Sequence, residues 1–329
     1  MVYSKILSCG AYLPQKILTN KDLEKTIDTT DEWILQRTGI TQRHIAADGE
    51  LTSDLAFEAV KNWLKNYTKE FGKVIDSVDC ILVATTTPDK TFPSTACILQ
   101  SKLKDLGVAS SFAFDVQAVC AGFVYGLTIA DSMIKSSLCK SVIVIGADKL
   151  SSILNWQDRT TCVLFGDGAG AVLLIAQEGN ETQKDGIFHC KIDSDGEHND
   201  ILKTSGGVGK TGNAGYIEMD GKEVFKHAVT KMSDSIKQIA SHCRLHPDEI
   251  DFVIAHQANE RILDAVSKKL EMTKTHFVKT VGIHANTSSA SIPLALNHCL
   301  QKQLVKRGDK IIFEALGAGL TFGGVYAIW

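Results

Sequence analysis

The sequence predicts an α/β fold whose strands are largely parallel and buried. Short apolar runs recur along the chain, amphipathic helical patterns separate them, and no low-complexity linker interrupts the alternation. Strands that helices cover on both faces have continuous apolar sequences, and these runs have that character. With 329 residues, the chain can bury a large core.

The predicted elements follow from the periodicity of the apolar residues. The N-terminal run, residues 1–14, is interpreted as a strand and a turn of the mature fold. The further strands are predicted at 80–84, 111–116, 141–146, 169–175, 252–255, 277–280 and 310–315. The helices are predicted at 53–66, 94–104, 121–135, 223–241, 259–270 and 288–304.

The two halves of the chain echo each other in sequence pattern. Four segments of the first half resemble four of the second in the same order, and the first three pairs are about 170 residues apart. We therefore predict an N-terminal half at 1–176 and a C-terminal half at 177–329, with the polar stretch 177–222 as loops and a crossover. The paired segments are 78–88 with 250–260, 114–123 with 279–288, 141–150 with 310–320, and 168–176 with 322–329.

Composition and charge exclude several classes of function. The net charge of −3 implies no overall attraction to nucleic acid or to a membrane surface. No apolar run reaches the roughly 18 residues that a membrane span needs, and the N-terminus lacks the features of a signal or transit peptide. The nine cysteines are scattered without a C-x-x-C pair, so we expect reduced thiols, no metal site, and a cytoplasmic location.

Cys120 is the most informative residue of the sequence. It lies in the run 114–127, where an apolar strand ends and a helix of small and apolar residues begins. The free N–H groups and the dipole at a helix N-terminus favour a thiolate, so Cys120 is a candidate nucleophile. A buried structural cysteine is the alternative interpretation of the same position.

His256 and Asn286 are candidate partners of Cys120. His256 directly follows an apolar strand, and Asn286 lies in a turn before a helix rich in Ser and Thr, where Asn is also a common helix cap. If the halves are related by symmetry, all three residues lie at carboxyl ends of strands, where α/β sheets place their sites. Together they indicate acyl-thioester chemistry, and a papain-like hydrolase remains an alternative.

Two further patterns bear on ligands. The glycine-rich segments 166–171 and 317–324 do not match phosphate-binding loops, and the second can supply a backbone N–H to an oxyanion. Arg261 and Lys268 are seven residues apart on a predicted helix, and Lys226 lies on another. These cations are either an ordinary solvated face or a basic rim that receives an acidic carrier protein.

Seven blocks of the sequence resemble β-ketoacyl-acyl-carrier-protein synthase III, a family of the thiolase superfamily. The resemblance extends over nearly the whole chain, and it implies a thiolase-like, five-layered αβαβα fold of two pseudo-symmetric halves, usually a homodimer. The matching blocks are 28–46, 91–100, 114–127, 158–172, 221–229, 256–262 and 286–296.

The resemblance also implies the reaction. Cys120 would take an acyl group, acetyl or another short chain, from coenzyme A. Malonyl-acyl-carrier protein would then lose carbon dioxide, and its enolate would condense with the acyl group to initiate type II fatty-acid biosynthesis. His256 and Asn286 would donate hydrogen bonds to the malonyl thioester oxygen, and no metal or redox cofactor is expected.

Other site residues are carried over from the same resemblance. The backbone amides of Cys120 and Ala318 would form an oxyanion hole for acyl transfer. Residues expected to bind coenzyme A are Trp33, Arg37, Arg159, Gly221 and Asn259. Residues expected to line the acyl pocket are Thr86, Phe165, Leu316 and, reaching across the dimer, Phe92. Residues expected to dock the carrier protein are Lys226, Arg261 and Lys268.

Three positions depart from the common pattern of the family. Ala285 replaces a glycine before Asn286, and its Cβ requires a negative φ. Ala318 and Leu316 replace a glycine and a frequent aromatic residue. The remaining alternatives are a related enzyme with another primer or acceptor (biotin-precursor, quinolone or polyketide pathways), a non-catalytic acyl-thioester binding protein, and a cysteine hydrolase.

Overall fold

A computed structural model describes residues 2–179, 185–272 and 277–329 of the chain. Its strands are β1 (Val2–Tyr12), β2 (Lys16–Thr19), β3 (Gln42–Ile45), β4 (Ser77–Ala84), β5 (Ala109–Val116), β6 (Ser141–Lys149), β7 (Asp167–Glu178), β8 (Gly186–Ser194), β9 (Leu202–Thr204), β10 (Ile217–Met219), β11 (Phe252–Ala255), β12 (Lys310–Gly317) and β13 (Thr321–Ile328). Its α-helices are α1 (Asn20–Leu23), α2 (Asp31–Thr38), α3 (Thr52–Phe71), α4 (Thr95–Leu103), α5 (Gly122–Lys135), α6 (Val208–Thr211), α7 (Gly221–His242), α8 (Glu260–Lys269), α9 (Val281–His284) and α10 (Ser291–Gln301).

Two sheets with matching topology form the framework. The first has the order β1-β7-β6-β4-β5. In it, β4 runs parallel to β5 and β6, and β7 runs antiparallel to β1 and β6. The second has the order β11-β12-β13-β8 with the corresponding directions, and a single parallel bridge from Val253 to Phe277 takes the place of a fifth strand. The matching order confirms the predicted pseudo-symmetric pair of halves.

The central strands are apolar throughout because they are covered on both faces. In β4, Cys80 and Leu82 face the centre of the molecule, whereas Ile81 and Val83 face the outer helices, and all four side chains are fully buried. This burial explains why the sequence of the strand is continuously apolar instead of alternating.

The helices and sheets form five layers, as the resemblance implied. Helices α3 and α4 cover the outer face of the first sheet, α5 and α10 lie between the two sheets, and α7 and α8 cover the outer face of the second. Gly126 of α5 allows this close packing, because a Cβ there would lie 2.9 Å from Val144 of β6.

Two predictions about the elements are wrong. Residues 277–280 do not form a strand, because the backbone N–H groups of Thr280 and Val281 donate to the side-chain oxygen of Gln257. The polar stretch 177–222 contains β8, β9, α6 and β10, although residues 180–184 of it lie outside the described residues. The boundary at 176/177 stays a prediction, and β7 continues to Glu178.

Candidate active site

Cys120 lies in a strained junction between β5 and α5. Residues Val119–Ala121 form a short 3-10 helix, and α5 continues from Gly122. Val119 has a φ of 47°, which is rare for a β-branched side chain and costs about 1–3 kcal/mol. Such strain is held in place only by its surroundings, and here it orients the residue that carries the thiol.

Burial controls the ionisation of Cys120. The side chain is 5% exposed, and this burial raises the pKa of the thiol to about 12. A hydrogen bond with the Ser288 side chain lowers this pKa in part, and the buried carboxylate of Asp148 raises it further. Loss of hydration therefore opposes the expected preference of the helix N-terminus for a thiolate, which stays a prediction.

His256 follows β11 and is held as a neutral ring. Its backbone N–H donates to the carbonyl of Glu314 over 2.8 Å, and burial lowers the pKa of the imidazole to about 4. Its Nδ1 lies 2.7 Å from the Oγ of Ser291. That hydroxyl accepts from the backbone N–H of Gln257 and can donate its own proton to Nδ1, which leaves the ring proton on Nε2 as a donor.

The hydrogen bonds of Asn286 fix its orientation. Its backbone N–H donates to the carbonyl of Leu164, and its side-chain Oδ1 accepts from the backbone N–H of Ser288 over 2.9 Å. With its oxygen engaged, the amide group of Asn286 presents its NH₂ as a donor. Asn286 does not cap α10, whose N-cap is Ala290, so the alternative reading of this residue as a helix cap is wrong.

Ala285 adopts a glycine-like conformation. Its φ is 59° and its ψ is −167°, although the sequence required a negative φ for a residue with a Cβ. This region is essentially restricted to glycine, so the expectation of a negative φ is wrong and the turn that carries Asn286 is strained. The side chain of Ala285 is fully buried, so the surrounding core fixes the conformation.

Two cavities meet at Cys120. One of about 570 Å³ is lined by Cys120, His256 and Asn286 together, which the sequence predicted to converge. Leu316 lines the same cavity. The other, of about 960 Å³, is lined by Cys120 and also by Thr86, Phe165 and Ala318. Phe92 lines neither cavity and is 82% exposed, which agrees with a residue that reaches away from its own chain.

The smaller cavity opens toward an aromatic and cationic cluster. The Trp33 ring lies close to two guanidinium groups, with Cζ of Arg37 at 4.7 Å and Cζ of Arg159 at 5.2 Å from its centroid. Gly221 and Asn259 line the same cavity, and Asn259 also caps α8 by accepting from the backbone N–H of Ile262. All five residues expected to bind coenzyme A therefore border one cavity.

The residues expected to dock a carrier protein lie on α7 and α8. Nζ of Lys226 is 3.3 Å from the carboxylate of Glu223, and Cζ of Arg261 lies 5.8 Å from the centre of the Phe225 ring. The contact of Arg261 with Phe225 joins α8 to α7, and Lys226 follows Phe225 along α7. Lys268 lies two turns further along α8.

Asp148 was missed in the sequence. Its buried carboxylate accepts hydrogen bonds from the backbone N–H and the hydroxyl of Thr86, and from the same two groups of Ser289. Asp148 thereby connects Thr86, which lines the larger cavity, to Ser289 in the turn that follows Asn286. An aspartate at the end of the apolar strand β6 was the signal that could have found it, because a buried carboxylate requires partners.

Among residues 2–179, 185–272 and 277–329, no group of three or more His, Cys, Asp or Glu side chains is arranged to hold a metal ion. Within the same ranges, no helix has the length and the apolar character of a membrane span.

The layers, the paired sheets and the Cys-His-Asn set define a thiolase-fold enzyme that acts on acyl thioesters. Residues 114–196 match the family described as 3-oxoacyl-[acyl-carrier-protein] synthase III, and residues 240–329 match the C-terminal part of the same family. The chain belongs to this family of condensing acyltransferases, as the sequence predicted.

Curated relatives and solved structures extend over the full length. The chain is 48% identical to β-ketoacyl-[acyl-carrier-protein] synthase III of Rhodospirillum centenum over 99% of both chains. It is 51% identical to the enzyme of that name from Wolbachia pipientis over 98% of both.

Among solved structures, 3-oxoacyl-[acyl-carrier-protein] synthase III from Aquifex aeolicus is 43% identical, with a TM-score of 0.88 over 99% of this chain and 100% of that one. The counterpart from Pseudomonas aeruginosa is 37% identical, with a TM-score of 0.90 over 99% of this chain and 98% of that one. A priming β-ketosynthase of the R1128 polyketide pathway has the same fold at 28% identity, with a TM-score of 0.88 over 99% of this chain and 96% of that one. The higher identities favour a fatty-acid enzyme over a specialised relative.

Proposed function

We propose that the chain catalyses the decarboxylating condensation of a short acyl-coenzyme A with malonyl-acyl-carrier protein, the step that initiates type II fatty-acid biosynthesis. The convergence of Cys120, His256 and Asn286 on one cavity carries this proposal. The names of the relatives that cover the full chain support it.

The first half-reaction transfers the acyl group to the enzyme. The sulfur of Cys120 attacks the thioester carbonyl, a new carbon–sulfur bond forms, and the bond to coenzyme A breaks. The proton of the Cys120 thiol is carried off by the departing coenzyme A thiol. The backbone amides of Cys120 and Ala318 stabilise the negative oxygen of the tetrahedral intermediate.

The second half-reaction forms the carbon–carbon bond. The malonyl group loses carbon dioxide, and the electron pair of the broken bond becomes an enolate whose oxygen accepts from Nε2–H of His256 and from the NH₂ of Asn286. The enolate carbon attacks the acyl carbonyl carbon on Cys120, and the carbon–sulfur bond to Cys120 breaks. The β-ketoacyl-carrier product leaves, and the released thiolate takes a proton from solvent to restore the thiol. A neutral histidine suits this role because its pKa is lowered to about 4 by burial.

Coenzyme A and the carrier protein are proposed to use the same entrance. The adenine stacks against Trp33 and Arg159, and the charge of Arg37 suits the phosphates. Lys226, Arg261 and Lys268 attract the acidic carrier around this entrance. We expect charge reversal at Arg261 to weaken the use of the carrier substrate more than the use of acyl-coenzyme A, as measured by kcat/KM for each substrate.

A homodimer completes the acyl pocket in this proposal. β5 is the edge strand of the first sheet, and Phe92 is exposed three residues before Thr95, whose backbone N–H donates to Asp115 of β5. An uncovered edge strand and a large exposed aromatic residue both suit an interface with a second copy. We expect the Phe92→Asp variant to sediment as a monomer and to lose its preference among acyl-coenzyme A primers. Both results together would support this arrangement.

The main experiment is the intact mass of the protein after mixing with a panel of acyl-coenzyme A primers. We expect a short acyl adduct on Cys120 that malonyl-acyl-carrier protein discharges as a β-ketoacyl product. The Cys120→Ser variant is the control that should carry no thioester. Release of the acyl group to water instead would indicate a hydrolase, and the absence of any adduct would contradict the proposal. Undiminished turnover in the presence of a chelator is also expected, because the proposal includes no metal.

A further inference from the structure

The end of β12 and the loop that joins it to β13 pack directly on the turn that carries Cys120. A Cβ on Gly317 would lie 2.7 Å from the backbone nitrogen of Cys120 and 3.0 Å from the carbonyl oxygen of Ala118, so the two backbones are in contact. Ala318, the next residue of the loop, lines the larger cavity beside Cys120. The two amides of the proposed oxyanion hole thus belong to two separate turns.

Thr321 is the side chain that connects these two turns. Its hydroxyl lies 2.8 Å from the carbonyl oxygen of Ala118 and 3.1 Å from the carbonyl oxygen of Ala318. The single proton of the hydroxyl can be donated to either carbonyl, and both lie within hydrogen-bond distance. One carbonyl lies two residues before Cys120, and the other belongs to the residue that supplies the second amide.

The backbone of Leu320, in the same loop, is hydrogen-bonded to a different part of the chain. Leu320 and Asp195 exchange two backbone hydrogen bonds of 2.8 Å, which attach the loop to the chain just after β8. The carboxylate of Asp195 is held in turn by Nζ of Lys231 at 2.7 Å. These bonds fix the loop to the second half of the molecule, whereas the Thr321 hydroxyl fixes it to the turn of the nucleophile in the first half.

We infer that Thr321 is a positioning residue, which holds the amides of Cys120 and Ala318 at the separation that one oxyanion requires. The inference rests on the proposed function. An oxyanion hole acts only if both donors are about 3 Å from the same oxygen, and a misplacement of about 1 Å can cost about a hundredfold in rate. Thr321 touches neither substrate in this scheme and acts through the two carbonyls.

The test measures the rates of the two half-reactions separately in the Thr321→Val variant. This change keeps the shape of the side chain but removes the hydroxyl. We expect the rate constant for acylation of Cys120 by the primer to fall about tenfold to a hundredfold, with little change in the KM for acyl-coenzyme A. Release of carbon dioxide from malonyl-acyl-carrier protein depends on His256 and Asn286, so it should stay close to the parental rate. Thr321→Ser, which restores the hydroxyl, should recover acylation.

A matched control removes a similar hydrogen bond away from the site. Thr128 lies on α5, and its hydroxyl donates to the carbonyl of Val124 over 2.9 Å. Thr128→Val should leave both half-reactions unchanged. Acylation of Thr321→Val at the parental rate, or an equal loss of both half-reactions, would overturn the inference while the proposed function stands. If no acyl-coenzyme A acylates the parent chain, the proposed function fails and the inference fails with it.

Discussion

At the scale of single residues, Ala285 has a backbone conformation that its side chain disfavours. Glycine there would relieve about 1–3 kcal/mol of strain, whereas an alanine-to-glycine change in an ordinary helix costs about 0.5–1 kcal/mol. We expect Ala285→Gly to leave the free energy of unfolding unchanged or to raise it, as measured by urea denaturation.

The control for this prediction is Ala295→Gly. Ala295 is also fully buried, but it lies within α10. We expect this change to lower the free energy of unfolding by about 1 kcal/mol or more, because it combines the helix penalty with a lost methyl group. Equal losses in the two variants would show that the φ of Ala285 carries no strain.

The ionisation of Cys120 gives a second prediction at this scale. Because burial raises the pKa of the thiol to about 12, the rate of its alkylation by iodoacetamide should keep rising from pH 7 to pH 10. Mass spectrometry of the peptide that contains Cys120 measures this rate without interference from the other eight cysteines. A plateau below pH 8 would mean that the helix N-terminus outweighs burial after all.

At the scale of elements, the contact between the β12–β13 loop and the Cys120 turn leaves no room for a side chain at residue 317. Gly317→Ala would place a Cβ 2.7 Å from the nitrogen of Cys120 and so push the two turns apart. We expect a loss of Cys120 acylation of at least about a hundredfold, and a free energy of unfolding that is lower by about 1–3 kcal/mol because backbone atoms must move. Gly209→Ala is a suitable control, because a Cβ there meets no atom within 4 Å, and it should acylate at the parental rate.

The elements also show what the sequence can and cannot predict. β4 and β12 were predicted because both of their faces are buried, which makes their sequences continuously apolar. β8 was missed because several of its side chains are exposed, and 277–280 was wrongly predicted because the side chain of Gln257 takes the place of a neighbouring strand. A side chain that replaces a neighbouring strand in this way depends on tertiary contacts, which the local sequence pattern does not contain.

The candidate site shows the same limit. Cys120, His256 and Asn286 could be selected because each follows a recognisable strand or precedes a helix. The hydrogen bonds of Asp148 to Ser289 and of Thr321 to Ala118 could not be predicted, because each joins residues from both halves. The positive φ of Ala285 could not be predicted either, because the local sequence favours a negative value.

At the scale of the whole molecule, buried neutral histidines make stability depend on pH. Burial lowers the pKa of both His256 and His284 to about 4, whereas an unfolded histidine titrates near 6.5. Between these values the unfolded chain binds protons that the folded chain does not, so the free energy of unfolding falls as the pH falls from about 6.5 to about 4. Well above pH 6.5 both histidines are neutral in the folded and the unfolded chain, so no stability is lost through their protonation.

Urea denaturation at pH 7, 6 and 5 measures this dependence. We expect His284→Gln to show a smaller loss of stability between pH 7 and pH 5 than the parent, because one of the histidines whose pKa is lowered by burial is removed. An identical pH dependence in the variant and the parent would contradict the assignment. His246→Gln is the control: this side chain is exposed, so the change should leave the pH dependence as it is in the parent.

The shared entrance beside Trp33 has a consequence for the timing of turnover. In the proposed reaction the arms of both thioesters reach Cys120 through the smaller cavity, so only one of them can occupy it at a time. Spent coenzyme A must diffuse out before the carrier arm can enter, so its residence time sets a waiting period in every cycle. A cell rich in free coenzyme A would therefore slow this enzyme without any dedicated inhibitor, and lipid synthesis would begin less often as that pool rises.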